Sequence, residues 1–223
     1  TQEQFYGVVH NSVDVIAKII ERDENLNSPN NKRAAKLRAK TVMFDEMTPS
    51  IIMAGFPMLD WIDIAMSPVC LPGEVDQNAN IMYVDAAERM GLAADVCPLP
   101  SAEVGCAIVD DYPQVGSSFI TSSMPCDGSL GAALFMDRYM KKLPSFTLTP
   151  PQRFNEPETN AYAVKDLKNC IRFIEETYHV KWDWDAFWEK AEEYNKTTQC
   201  MLDKWDVNCT PYPQVIGSAL SLQ

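Results

Sequence analysis

The stretch that decides the fold is VCPLPSAEVGCAIVDDYPQVGSSFITSSMPCDGSLG, residues 96–131. Its run SFITSS predicts a short buried strand, and AADV just upstream reads as another; a candidate helix follows each. Cys97 and Cys126 stand in the two loops between strand and helix. An open α/β sheet collects its ligands at such strand ends, so we expect both thiols to face one crevice.

Short apolar runs separated by proline and glycine continue on both sides of this stretch. The runs PSIIMAGFP, SPVCLPGE and PSFTLTPP read as further strands. Helix-like segments are predicted between them, at about residues 58–65, 76–90, 101–110 and 129–140. This alternation predicts an α/β fold with an open, mostly parallel sheet of the Rossmann or flavodoxin-like kind.

Helical patterns flank the predicted sheet. An N-terminal helical segment, residues 1–47, holds an amphipathic helix through Val9 and Ile20 and a second helix over Lys32–Phe44. The α/β domain is expected over residues 48–150 and a helical hairpin over residues 151–206. We predict that Asp183 caps the second helix of the hairpin, and that the tryptophans at the junction pack together.

Composition excludes several classes of protein. The chain has 223 residues, 46% of them hydrophobic, and a net charge of −12, which argues against a nucleic-acid surface. The basic run NKRAAKLRAK is typical of a solvated helix face, with an anion site as the alternative. There is no apolar run of about 20 residues and no signal peptide at the start, so we expect a soluble, cytoplasmic protein without membrane contacts.

The seven cysteines are irregularly spaced, which favours free thiols or metal ligands over a disulfide framework. For Cys97 and Cys126, the loop placement leaves a metal or cluster role and simple packing equally open. Gly128 would let a bulky inorganic group approach the backbone. The other cysteines are expected to pack as small apolar residues, and the two histidines to lie at the surface or cap helices: Cys70, Cys106, Cys170, Cys200, Cys209, His10 and His179.

The segment Pro57–Ala65 is expected to border the same crevice, because it follows a strand-like run. Phe56 and Trp61 would then be pocket walls or core residues. The sequence contains no C-x-x-C pair, no G-x-S-x-G and no nucleotide-binding glycine motif, and no histidine that could activate a nucleophile in the α/β part.

Four segments, in order, resemble the 2-hydroxyacyl-CoA dehydratase family, which includes the benzoyl-CoA reductase subunits and double-cubane cluster proteins. They are AGFPMLDWIDIA, VDAAERMGLAADVC, SSMPCDGSLGAALFMDRYMKKLPSFTLTPP and YAVKDLKNCIRFIEETYHVKWDWDAFWEKAEEYNKT. Their order and spacing extend the resemblance over about residues 51–198.

The resemblance implies an iron–sulfur cluster held by three cysteines, two of which match Cys97 and Cys126. A [4Fe–4S] cluster is expected, with a double-cubane [8Fe–9S] cluster as the alternative. The third cysteine has no match, because Cys170, Cys200 and Cys209 come too early. We therefore expect the N-terminal half of a longer subunit, in which residues 207–223 lead toward a second α/β domain.

The resemblance also implies an activity, that of an (R)-2-hydroxyacyl-CoA dehydratase, an anaerobic hydro-lyase. In this family an ATP-dependent iron–sulfur activator injects one electron, and water leaves a ketyl radical of the acyl-CoA to give 2-enoyl-CoA. A homologous subunit is the expected partner. The alternatives are an ATP-dependent low-potential reductase of the benzoyl-CoA or double-cubane type and a non-catalytic partner subunit.

Overall fold

The computed structural model describes residues 32–45, 48–63, 78, 80–112, 115–124, 126–139, 143–151 and 156–211. The expected helix through Val9 and Ile20, the run SPVCLPGE with Cys70, and residues 212–223 lie outside these ranges. The elements in chain order are α1 (Lys32–Arg38), β1 (Thr41–Phe44), a 3-10 helix (Ser50–Gly55), β2 (Asp60–Asp63), α2 (Ile81–Arg89), α3 (Pro98–Ile108), β3 (Ser118–Ser122), α4 (Asp127–Tyr139), β4 (Ser145–Leu148), α5 (Pro157–Tyr178) and α6 (Trp184–Asn208).

The four strands form one parallel sheet in the order β2-β1-β3-β4. The predicted open α/β fold is therefore confirmed. In chain order, β2 pairs with one side of β1, and the next strand, β3, pairs with its other side. This reversal makes the gap between β1 and β3 the topological switch point of the sheet, as in flavodoxin-like folds.

Strand β1 corrects the predicted helix over Lys32–Phe44. Helix α1 ends at Arg38, and Thr41–Phe44 form a strand whose four residues are all buried. A central parallel strand is covered on both faces, so a short run such as TVMF lacks the polar alternation that marks a half-exposed strand. The sheet thus includes residues that precede the expected domain start at residue 48.

The connection from β1 to β2 also differs from the prediction. Ser50–Gly55 form a 3-10 helix rather than a strand, with Ile52 and Met53 packed into the core. The helix predicted over residues 58–65 is instead strand β2 at Asp60–Asp63, and residues 64 and 65 lie outside the described ranges. Both segments are so short that their pairing and packing decide their conformation.

Two apolar layers cover the sheet. On one face Met43 and Phe119 pack with residues of α2, α3 and α4. On the other face Val42, Phe44 and Ile120 pack with the 3-10 helix and α5. Adjacent strand residues point to opposite faces, which explains why Val42 and Met43 belong to different layers.

Helices α5 and α6 follow the sheet as two long consecutive helices. The predicted cap is confirmed, because the Asp183 carboxylate accepts hydrogen bonds from the amides of Asp185 and Ala186. Helix α5 packs on β4, whereas α6 packs on the 3-10 helix. Trp182 lies between these parts, against Gly55 and the ring of Phe56 at 5.2 Å.

The predictions for the remaining cysteines and histidines are partly confirmed. Cys106 and Cys170 are buried, as expected for small apolar residues. Cys200 and Cys209 are exposed, so that expectation is wrong for them. Cys200 lies in the second half of α6, and Cys209 is its C-cap. His179 is an exposed C-cap of α5 in the left-handed conformation, which confirms a capping role, and His10 lies outside the described residues.

Candidate functional site

The candidate site lies at the carboxyl-terminal edge of the sheet, beside the switch point between β1 and β3. Strand β3 ends at Ser122, and α4 begins only a few residues later at Asp127. The loop between them therefore opens at the position where ligands of open α/β sheets bind. Cys126 is the last residue of this loop and is exposed.

Cys126 is held as a helix-capping residue. Its carbonyl oxygen accepts the first hydrogen bond of α4 from the Leu130 amide at 3.2 Å. Its Sγ lies 3.7 Å from the Ser129 Oγ. Hydrogen bonds from the Ser129 amide, from the Ser129 hydroxyl and from the Gly128 amide lower the pKa of the Cys126 thiol. A thiolate is the form that binds metals, so this environment favours a ligand role.

Cys97 occupies the same position before α3, but no strand leads to it. The expected strand AADV is a turn, in which the Val96 amide donates to the Ala93 carbonyl at 3.1 Å. Helix α2 ends just before it at Arg89, and Gly91 follows the helix with a φ of 102°. The Cys97 carbonyl accepts hydrogen bonds from the Ser101 hydroxyl at 2.9 Å and the Ser101 amide at 3.3 Å, which fixes the start of α3.

The surroundings of Gly128 show that helices α3 and α4 begin next to each other. A Cβ placed on Gly128 would lie 3.5 Å from the Cys126 Sγ and 3.5 Å from Val96 Cγ1. It would also lie 3.9 Å from Pro100 Cγ. Val96 and Pro100 flank Cys97 on its two sides, so the first turns of α3 and α4 meet where both cysteines lie. A side chain at residue 128 would fill part of this space.

The donor set fits an iron–sulfur group in part. Two exposed thiols on adjacent helix starts are soft ligands of the kind that such clusters use. Within the ranges that the structure describes, no group of three His, Cys, Asp or Glu residues converges to hold a metal ion. The two cysteines would therefore supply only part of the ligand set, and a further ligand has to come from elsewhere.

Sequence reasoning missed two residues near the site. Ser129, the hydrogen-bond donor to Cys126, could have been found from its spacing, because a capping residue commonly bonds the residue three positions later. Asp45 directly follows β1, and its amide donates to the Ile120 carbonyl of β3 at 2.9 Å. It was missed because β1 was assigned to a helix.

Buried groups lie on the α3 side of the sheet. Tyr112 is buried, and burial together with the carboxylates of Glu103 and Asp45 raises its pKa well above the ordinary value. Glu103 itself is buried on α3. The carboxylates of Glu103 on α3 and Asp45 after β1 therefore lie near the buried Tyr112.

The expectation that Pro57–Ala65 borders the cysteine crevice is wrong for its first residues, 57–59. Residues 57–59 precede β2, whose first residue Asp60 pairs with the first residue of β1. They therefore lie at the amino-terminal edge of the sheet. The 3-10 helix brings the chain back to this edge after β1.

The same segment lines a separate groove of about 640 Å³ between the 3-10 helix and α6. Phe56 and Trp61 both contribute to its wall. Phe56 is also fully buried in the core, whereas Trp61 is 46% exposed. The groove lies on the face of the sheet opposite to α3 and α4.

Among the described residues, no helix is both long enough and apolar enough to cross a membrane. This agrees with the sequence, in which the long helices α5 and α6 carry many charged residues.

Fold and site together define a class: a parallel α/β protein that presents two cysteines at neighbouring helix starts beside the switch point. The family model of the 2-hydroxyglutaryl-CoA dehydratase D-component matches residues 72–222, about two thirds of the chain. The chain therefore belongs to this family and is, in general terms, a 2-hydroxyacyl-CoA dehydratase subunit. The name D-component implies a partner subunit. No curated protein matches the chain at a significant level.

Proposed function

We propose that the chain is the iron–sulfur subunit of a cytoplasmic, anaerobic (R)-2-hydroxyacyl-CoA dehydratase. It would remove water from a 2-hydroxyacyl thioester to give 2-enoyl-CoA, as a hydro-lyase. It would act with a homologous subunit and after one-electron activation by an ATP-dependent activator protein. Cys97 and Cys126 are the proposed ligands of a [4Fe–4S] cluster.

One observation carries this proposal: two exposed cysteines cap neighbouring helices at the edge of the sheet, in a chain of the dehydratase family. Family membership alone would leave the ligands open among the cysteines. The geometry favours this pair, because α3 and α4 meet at Gly128 while Cys106 and Cys170 are buried in separate layers.

The chain's own groups prepare the two thiols for binding. Ser129 and the free amides at the start of α4 stabilise a negative charge on Cys126. The Ser101 hydroxyl holds the Cys97 carbonyl and so fixes that loop. Gly128 leaves room for a ligand beside the Cys126 thiol, where a Cβ would contact the Cys126 Sγ and Val96.

When bound, an iron–sulfur cluster supplies one-electron chemistry and a Lewis-acidic iron, which the amino acids of the chain cannot provide. The β-hydrogen of a 2-hydroxyacyl thioester is scarcely acidic, and general base catalysis contributes only about 10²–10⁴-fold. A protein of this family thus needs more than a positioned base.

The proposal is tested by anaerobic reconstitution of the chain with ferrous iron, sulfide and dithiothreitol, whose thiols can complete the ligand set of the cluster. We expect bound iron and sulfide with the absorption and electron paramagnetic resonance of a low-potential cluster, and the loss of both on the substitution Cys97→Ala or Cys126→Ala. Cys200→Ala is the matched control, because Cys200 is exposed but lies on α6. Its iron content should equal that of the unchanged chain.

Turnover is measured separately, by the appearance of enoyl-CoA when the partner subunit, activator, ATP and a reductant are added. Dehydrated product supports the dehydratase, whereas a reduced acyl-CoA would contradict it. Full iron content in the Cys97→Ala variant would exclude that residue as a ligand.

A further inference from the structure

Four exposed cysteines are found among the described residues, and they form two different pairs. Cys200 and Cys209 lie nine positions apart along one helix and its C-cap. This separation corresponds to about 13 Å along the helix axis, which is too far for a disulfide. Cys97 and Cys126 lie instead on the starts of two helices in contact.

The contact between these two helix starts is close. The Cys126 Sγ and a side-chain carbon of Val96, the residue next to Cys97, both lie 3.5 Å from the same point beside Gly128. Pro100, on the other side of Cys97, lies 3.9 Å from that point. A disulfide needs Cα atoms within about 7 Å, a spacing that such adjoining turns can reach.

Both thiols can rotate without breaking a helix. The hydrogen bonds that start α3 and α4 are accepted by the carbonyl oxygens of Cys97 and Cys126, not by the sulfurs. The Cys97 side chain makes no capping hydrogen bond. The Cys126 sulfur has only the contacts to the first turn of α4, which are weak for a neutral thiol.

We propose that Cys97 and Cys126 are a redox-sensitive modification site, which closes to a reversible disulfide when an unliganded chain meets a small-molecule disulfide. One thiol attacks the small disulfide, a mixed disulfide forms, and one small thiol leaves. The second cysteine then attacks the mixed disulfide at the protein sulfur, and the second small thiol leaves. Two protein thiols are oxidised, one small disulfide is reduced, and the two protons pass to the departing thiols.

The closed pair would exclude the ligand role of both cysteines until a thiol reductant opens it. The disulfide does not depend on the proposed function, because it needs only the convergence of the two loops. It would give the empty site a protected state in place of irreversible oxidation of its thiols.

The test treats the metal-free full chain with oxidised glutathione under anaerobic conditions, followed by alkylation, proteolysis and mass spectrometry. We expect a linked peptide joining Cys97 to Cys126, a mass lower by about 2 Da, and no glutathione on either residue. Cys200 and Cys209 should remain free or carry glutathione singly. Dithiothreitol should restore both thiols.

Cysteine variants distinguish a reaction specific to the Cys97 and Cys126 pair from the general reactivity of exposed thiols. In Cys97→Ser the reaction should stop at the mixed disulfide, so that Cys126 keeps glutathione, and Cys200→Ser should behave as the unchanged chain. Glutathione retained on both Cys97 and Cys126 of the unchanged chain would overturn the proposal. So would an equal yield of the same link in guanidinium, where the folded contact is lost.

Iron uptake by the reduced chain distinguishes this inference from the proposed function. A chain that forms the disulfide but binds no iron contradicts the proposed function alone. A chain that binds iron through both cysteines but never forms the disulfide contradicts the inference alone.

Discussion

Helices α3 and α6 differ in how much of each is buried against the rest of the molecule. Eight of the 11 residues of α3 are buried, from Pro100 to Ala107. None of the 25 residues of α6 is buried, although this helix is about 37 Å long. The candidate ligand Cys97 is thus the N-cap of a largely buried helix, whereas the exposed Cys200 and Cys209 lie on a helix with no buried residue and at its C-cap.

The difference teaches where the candidate site obtains its rigidity. Helix α3 is braced by α2 on one side and α4 on the other, so its first residue has little freedom to move. Helix α6 is attached through its first half, at the 3-10 helix and Trp182. Substitutions in α3 should therefore disturb both stability and the site, whereas those at the end of α6 should disturb neither.

The largest effect is expected from Gly105→Ala in α3. A Cβ at residue 105 would collide with the backbone carbonyl of Tyr83 in α2, which cannot move without shifting that helix. We expect a loss of about 3 kcal/mol in the free energy of unfolding, measured by urea denaturation, together with reduced iron uptake. Gly131→Ala is the control: nothing lies within 4 Å of its Cβ position, so that variant should gain about 0.5–1 kcal/mol.

A smaller effect is expected from Trp182→Ala, which removes the attachment of α6. The Trp182 ring packs on Phe56 at 5.2 Å and on Phe187 at 5.1 Å. Because the ring is half-buried, we expect a loss of about 2 kcal/mol in thermal or urea unfolding. Iron uptake should be unchanged, and a parallel loss of iron would show that α6 supports the site after all.

The substitution Asp183→Ala should cost about 1 kcal/mol, because it removes the two hydrogen bonds from the amides of Asp185 and Ala186. Asp183→Asn keeps an accepting oxygen and should recover most of the loss. Helix content from circular dichroism would identify the cause. Equal destabilisation by both variants would mean that charge rather than capping matters.

The smallest effect is expected from Trp205→Ala near the end of α6. This side chain is 55% exposed, and Leu202 beside it is exposed as well. We expect a change within about 0.5 kcal/mol for the isolated chain, as for other exposed positions. A loss above 1 kcal/mol would indicate that the second half of α6 is covered in solution.

The sequence predicted best the elements whose patterns are local. The strands SFITSS and PSFTLTPP, the helices α3 and α4 and the cap at Asp183 all follow from apolar spacing and capping residues. β1, β2 and the 3-10 helix were missed. Each has four to six residues, so contacts with distant parts of the chain determine its conformation.

For the candidate site, too, the sequence predicted the local features and missed the contacts between distant parts of the chain. The positions of Cys97 and Cys126 before helices were predictable, because proline and glycine punctuate the loops around them. Their convergence was inferred from two equivalent strand ends, yet only Cys126 follows a strand. The contact of Gly128 with Val96 and Pro100 is a tertiary contact, which no local pattern encodes.

The central claim is that Cys97 and Cys126 bind one common iron–sulfur group. Iron and sulfide should be counted after anaerobic reconstitution of the unchanged chain, both single alanine variants and the double variant. A shared site predicts that each single variant loses as much iron as the double variant, because ligands of one compact group act as a unit. Single losses that add up to the double loss would indicate two separate sites and would contradict the account.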